Sequence, residues 1–228
     1  MNLIAFGTLG SVFVTVSTMF LQAPTPAASM IPGVKELIDN PRVTICEVAL
    51  TKGQKWPMEK YADDTLMIPV TPVSLRITTA DGKATTVNLK PGDVRFWPKG
   101  THQGAEPASE GRAIVAHFKE VAGPTYKNTS GFGPAFPRPR VKKLVDNNRV
   151  VVWDYTWVQG EPTPNHFHDK DLMIVYLADG AIRSVTPDGK ATPNEFKFAE
   201  VRFNPGNRAH YEEYVRGDGP RAIITELK

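Results

Sequence analysis

Short runs of alternating or β-branched residues recur along this chain. "RVTICEVAL", "LMIPV", "SLRITT", "DVRFWP" and "RAIVAHF" lie in the first part, and "RVVVWDYTW", "LMIVYL", "AIRSVT", "EVRFNP" and "RAIITEL" in the second. Alternation at period two is the mark of a strand with one buried face. The pairs Asp81-Gly82 and Asp188-Gly189 predict hairpin turns, because glycine accepts positive φ at little cost. Many short strands in each part predict an all-β sandwich or barrel, which limits exposed edges. "VKELIDN" and "VKKLVDN" break the alternation and read as short helical turns ahead of the first strand in each part.

The two sets of runs share one register. "ITTADGKATTVNLKPGDVRFWP" aligns with "SVTPDGKATPNEFKFAEVRFNP", and the offsets 146−39, 160−53, 188−81 and 205−98 all equal 107. The register holds without gaps from Val34 to about Thr101, with a short insertion later in the second copy. The chain therefore reads as a duplication: one domain over 30–120 and a second over 141–228. Between them, 121–140 includes "VAGPTYKNTSGFGPAFPRPR", whose glycine and proline density predicts a linker running over the surface.

Composition narrows the picture. With 27 basic and 24 acidic side chains and no basic run, nothing points to nucleic acid. A single cysteine, Cys46, excludes an intrachain disulfide framework and reads as a small buried hydrophobe. Residues 1–29 begin with an apolar run, Leu3 to Leu21, followed by small residues, the form of a secretory signal with its cleavage region. The expectation is a secreted or periplasmic protein that does not sit in a membrane once the signal is cleaved. An uncleaved anchor is the alternative, although no basic flank follows the run.

The candidate chemistry lies in "EPTPNHFHDKDLMIVYL". His166 and His168, two of only five histidines, sit one residue apart and so share a strand face. Two imidazoles placed this way can converge on one ion, with His210 in "NPGNRAHYEEY" the candidate third ligand. Asp171 is a further candidate ligand, and Glu212 and Glu213 are candidate ligands or partners that orient an imidazole. His117 falls outside this pattern and is expected at the surface or a strand edge. Arg76 and Arg183 match across the copies, as do Arg95 and Arg202, and are expected mainly as ion pairs on the outer face. Trp153, Tyr155 and Trp157 alternate along one strand and read as core or domain interface.

These residues resemble the cupin family. Its first motif is Gly, five residues, His-x-His, three or four residues, Glu, six residues, Gly, and Gly160, His166, His168 and Gly180 match it. Its second motif is matched loosely by Pro205 and His210, and better in the first copy by Gly92, Pro98, Gly100 and His102. The resemblance covers nearly all of residues 34–228 and implies a bicupin. That means two tandem jelly-roll β-barrels joined by the Gly/Pro-rich linker, each with a cleft where a metal commonly sits. The family glutamate falls at Met173 in this register, so a three-histidine site is expected, as in some cupin-like oxygenases. The implied cofactor is one divalent transition metal: Fe, Mn, Ni or Zn. In the first copy the corresponding cleft carries Glu59, Tyr61 and His102, a degenerate set.

Two functional readings follow from the sequence. One is a metal-dependent dioxygenase or isomerase acting on a small organic molecule in the second domain. The other is a non-catalytic secreted cupin that binds a small ligand or serves a structural role. A homodimer is compatible with both, and since barrel edges often pair in this family, the two domains are expected to pack on each other.

Overall fold

The computed structural model describes residues 33–228; the leader expected over 1–29 lies outside the described residues. Among the described residues the regular structure is all β. The first half holds β1 (Val34–Asp39), β2 (Val43–Leu50), β3 (Trp56–Lys60), β4 (Asp64–Pro69), β5 (Val73–Thr79), β6 (Ala84–Leu89), β7 (Arg95–Trp97), β8 (His102–Pro107) and β9 (Gly111–Phe118). The second half holds β10 (Gly133–Pro134), β11 (Lys142–Asp146), β12 (Val150–Thr156), β13 (His166–His168) and β14 (Asp171–Tyr176). It continues with β15 (Gly180–Val185), β16 (Ala191–Phe196), β17 (Val201–Asn204), β18 (Arg208–Gly217) and β19 (Arg221–Leu227).

Each half builds two sheets. In the first, β1-β2-β9-β4-β7 faces β3-β8-β5-β6; in the second, β11-β12-β19-β14-β17 faces β10-β13-β18-β15-β16. The Asp-Gly turns close the β5–β6 and β15–β16 hairpins, with Gly82 at φ 80° and Gly189 at φ 82°. Glycine occupies this left-handed region without the steric cost a Cβ would add.

The expected helical turns at the start of each half are strands instead. β1 pairs antiparallel with β2, and β11 with β12, and each ladder skips one residue: Leu37 between Glu36 and Ile38, Leu144 between Lys143 and Val145. A bulge puts two consecutive residues against one partner, so neighbouring apolar side chains can serve the same face. Leu37 and Ile38 both pack on one core cluster, as do Leu144 and Val145. That pairing imitates helical spacing in the sequence.

Three clusters hold the structure together. One fills the sandwich of the first half, with Cys46, Val48, Leu50, Met67 and Leu75. A second fills that of the second half with Trp153, Tyr155, Trp157, Tyr176 and Phe196, so the alternating aromatics are core. The third lies between the β1-β2-β9-β4-β7 and β11-β12-β19-β14-β17 sheets and joins Val43, Ile45, Leu66, Ile114 and Phe118 to Val150, Val152, Met173, Val175 and Ile223. Both faces of these sheets are therefore covered, and the halves share a core. Truncating Leu66, which is fully buried in that shared cluster, will destabilise the chain by about 2–5 kcal/mol as Leu66→Ala in urea unfolding. A cost below about 1 kcal/mol would show that the two sheets are only loosely packed.

The stretch 121–140 departs from a surface linker in its later part. β10 adds in parallel to β13, pairing Gly133 with His166, and Ala135, Phe136 and Arg138 are buried. This segment seals one edge of the second sandwich beside the histidines.

Candidate metal centre

β13 carries His166 and His168 on one face, and β18 brings His210 directly opposite His166 in the antiparallel ladder. The three rings are 3, 4 and 7 % exposed, and one ligand nitrogen from each lies within 4.8 Å of the others. The Nε2 atoms of His166 and His168 are 3.1 Å apart. Two nitrogens bound at roughly 2.1 Å and at a right angle on one ion would be about 3 Å apart. His166 Nδ1–H donates to the Pro164 carbonyl at 2.8 Å, which makes Nε2, facing His168, the nitrogen that carries the lone pair. His168 Nδ1 and His210 Nε2 are buried without a hydrogen-bond partner. Buried polar atoms are rarely left so, and three converging imidazoles fit a divalent transition metal.

The electrostatics keep the His166 and His168 rings in the ligand form. Burial pulls the His166 imidazole down to about 4 and that of His168 well below its ordinary value, with the neighbouring cationic forms adding to the effect. Both are neutral at physiological pH.

Glu212 follows His210 on the same face of β18. Its Oε1 lies 3.6 Å from His210 Nε2, beyond a hydrogen bond. Its Oε2 accepts from Arg138 Nη2 at 3.1 Å and Trp157 Nε1 at 3.0 Å. Burial opposes the charge, but Arg138 and then His210 and His166 hold the Glu212 carboxyl well below the usual range. It is an anion beside the imidazoles, in the orienting position. Glu213 points the other way and pairs with Arg183 on the exposed face.

Asp171 is not part of the cluster. Its carboxylate takes Arg42 Nη1 at 2.9 Å, the Tyr126 hydroxyl at 2.9 Å and the Gly206 amide at 3.0 Å. Met173, two residues on, packs in the core shared by the halves. Both face away from the histidines. The β14 residues that line the histidine cavity are Leu172, Ile174 and Tyr176, so no carboxylate of this strand stands there.

His168 and His210 line a cavity of about 90 Å³ together with Arg138, Leu172, Arg208 and Glu212. Sequence reasoning missed both arginines. Arg208 shares the parity of His210 on β18, a signal that could have found it. Arg138 comes from the Gly/Pro-rich stretch, where no periodicity marks it. Its guanidinium lies 4.0 Å from the Tyr155 ring and 4.7 Å from Phe136, and its Nε and Nη1 are buried without partners. Arg202 also lines this cavity instead of serving only an outer ion pair.

In the first half, Glu59 and Tyr61 line a separate, larger cavity, but His102 is exposed and is not among its lining residues. The ladder pairs Glu59 with Gln103, just as it pairs His166 with His210. Carrying the offset forward, 210−103 = 107, would have put Gln103 there from the sequence. His117 is also displaced from expectation: β9 lies between β2 and β4, and His117 lines the same cavity as Tyr61.

No protein-family model matches the chain. It is 32% identical over 74 residues to the beta-alanine degradation protein BauB of Pseudomonas aeruginosa, covering 30% of this chain and 78% of BauB. Among solved structures it is similar to a cupin 2 conserved barrel domain protein from Leptotrichia buccalis, with TM-score 0.56, 18% identity and coverage of 86% and 88% of the two chains. It is also similar to Bacillus subtilis oxalate decarboxylase, a protein with Mn(II) centres, with TM-score 0.56, 12% identity and coverage of 82% and 69%. With its two-sheet halves and its histidine cluster already described, this chain has the fold of the cupin barrel proteins and belongs to the same family as BauB.

Proposed function

We infer that the protein is a metal-dependent bicupin enzyme acting on a small carboxylate, with its chemistry confined to the second half. The observation that carries this is the convergence of three buried imidazoles, two of which leave a ring nitrogen without a hydrogen-bond partner. In this reading the two tandem jelly rolls are 30–120 and 141–228, and only the second keeps a metal site. The apolar segment within 1–29 supports export as a secreted or periplasmic protein.

His166, His168 and His210 would hold Fe, Mn, Ni or Zn. The ion, when bound, supplies a Lewis acid or redox centre with coordination positions left open for substrate. The chain's own residues do the rest. Arg138 offers a buried positive charge and unpartnered Nε–H and Nη1–H groups, a match for the charge of a carboxylate. Glu212, paired to Nη2, and the Tyr155 and Phe136 rings hold that guanidinium in place. Arg208 adds a second positive charge to the cavity wall. Leu172, Ile174 and Trp157 line the same cavity and exclude water, which strengthens each polar contact made there. The names of the two relatives, beta-alanine degradation and oxalate decarboxylase, both refer to small carboxylates. Oxidation by O2 and isomerisation are the reaction types in view.

The test is calorimetric titration of the manganese-loaded protein with acetate, oxalate and β-alanine. Arg138→Leu will weaken binding of the best of these at least tenfold, and Arg138→Lys, which keeps the charge without the guanidinium, will fall between. Equal binding by all three proteins, or no binding of any carboxylate by wild type, would remove Arg138 and the carboxylate class from this reading.

A further inference from the structure

The first half contains a cavity of about 390 Å³, against about 90 Å³ beside the histidines. The size difference has a cause in the chain. β2 and β12 hold the same place in their sheets, second in order and paired to β9 and β19. On β12 and just past its end the residues turned into the sandwich are Trp153, Tyr155 and Trp157; on β2 they are Cys46, Val48 and Leu50. Small side chains stand where the second half has three aromatic rings, and the space they leave is the cavity. Large voids inside a sandwich are unusual, since interiors pack to crystal-like density.

The walls are apolar with a few polar groups. Met67, Leu75 and Val115 supply hydrocarbon, and Trp56, Trp97 and Tyr61 supply flat faces, with the Tyr61 and Trp97 rings edge to face at 6.0 Å. Gln103, only 4 % exposed, donates to the Tyr61 hydroxyl at 3.0 Å, so that hydroxyl keeps its own proton to donate. Trp56 Nε1–H is buried and has no hydrogen-bond partner. Thr65 Oγ1 lies 3.1 Å from His117 Nδ1, and burial lowers the His117 imidazole, leaving it neutral. The charged lining groups, Lys55 and Glu59, are both exposed and opposite in sign. The inner wall therefore carries no net charge to match an ion.

We propose that this cavity is a second binding site, for a neutral, flat, mainly apolar small molecule with a hydrogen-bond acceptor that meets Trp56 Nε1–H or the Tyr61 hydroxyl. An ion would lose its hydration there with no opposite charge to compensate. A neutral aromatic or alicyclic body gains by burial against the Trp and Tyr faces. The two halves would then divide the work: one site for an ion and a small anion, the other for an uncharged ligand.

The experiment uses N-phenyl-1-naphthylamine, a neutral probe whose emission rises in apolar surroundings, titrated into the full chain. Saturable uptake near one probe per chain is expected, displaced by neutral 2-naphthol and not by benzoate. Ala105→Trp and Val48→Tyr project bulk into the cavity from β8 and β2 and will each weaken uptake at least tenfold, with circular dichroism confirming the fold. Phe198→Ser removes an exposed ring elsewhere and will leave uptake unchanged. Unchanged uptake in both folded cavity variants, or loss of uptake in Phe198→Ser, would overturn the proposal, because the probe would then be adsorbed on the surface. Displacement by benzoate would overturn the assignment of a neutral ligand.

Discussion

His166→Ala will reduce bound transition metal from about one ion per chain to less than a tenth, while the circular dichroism of the β fold stays in place. His166 supplies a ligand nitrogen whose lone pair is fixed by the Nδ1–H bond to Pro164, and it stands directly opposite His210. Losing it leaves two imidazoles, too few to hold an ion through a chelator-free purification. Glu212→Gln gives the graded comparison. It keeps the hydrogen-bond acceptor for Trp157 and removes the negative charge beside His210, so metal affinity should fall roughly 10–100-fold without abolition. Elemental analysis after manganese or iron reloading reads both. Metal that persists in His166→Ala would break the site assignment, and a wild type that takes up no metal under reloading would break the metalloenzyme reading itself.

The second large effect is expected far from the histidines. Arg42→Met will lower stability by about 3–5 kcal/mol, because it strands a buried carboxylate. Arg42 is 8 % exposed and Asp171 5 %, and they meet at 2.9 Å across the boundary between the halves. Arg42 also donates to the Lys228 carbonyl at 3.0 Å, which ties the chain's last residue to the first half. For a chain of this size each kcal/mol shifts Tm by about 2–4 °C, so a drop of roughly 6–20 °C should be seen in a thermal scan. Arg42→Met combined with Asp171→Asn should recover most of the loss: the asparagine still accepts from Tyr126 and Gly206 but carries no charge. A single variant that unfolds within 1 kcal/mol of wild type would show that water reaches the pair and screens it.

The contrast between these two sites explains how much was legible in advance. The strands and the Asp-Gly turns followed from local rules, since alternation and positive φ are properties of a few adjacent residues. His166 and His168 sharing a face followed from the same period of two, and His210 opposite them needed only the choice of a strand. The errors fall where two layers meet. "VKELID" looked helical because a bulge sets Leu37 and Ile38 on one face. Asp171 and Met173 were given to the histidine side because both faces of β14 are buried, and an unbroken apolar run does not say which face looks at the site. His102 was placed where Gln103 stands for another reason: it is the histidine next to that position, and the offset 210−103 = 107 falls on its neighbour.

The sequence by itself determined the β-rich chain, the shared register of its two parts and the three imidazoles that could meet on one ion, because each rests on short-range periodicity or simple spacing. Only the tertiary structure decided that the halves share a hydrophobic core, that Asp171 serves Arg42 across that boundary, that Arg138 reaches the histidine cavity, and that the first half is hollow where the second is filled with aromatic rings. Those outcomes depend on which side chains are opposed across packed sheets, residues far apart in the chain, and that information enters only when the faces meet.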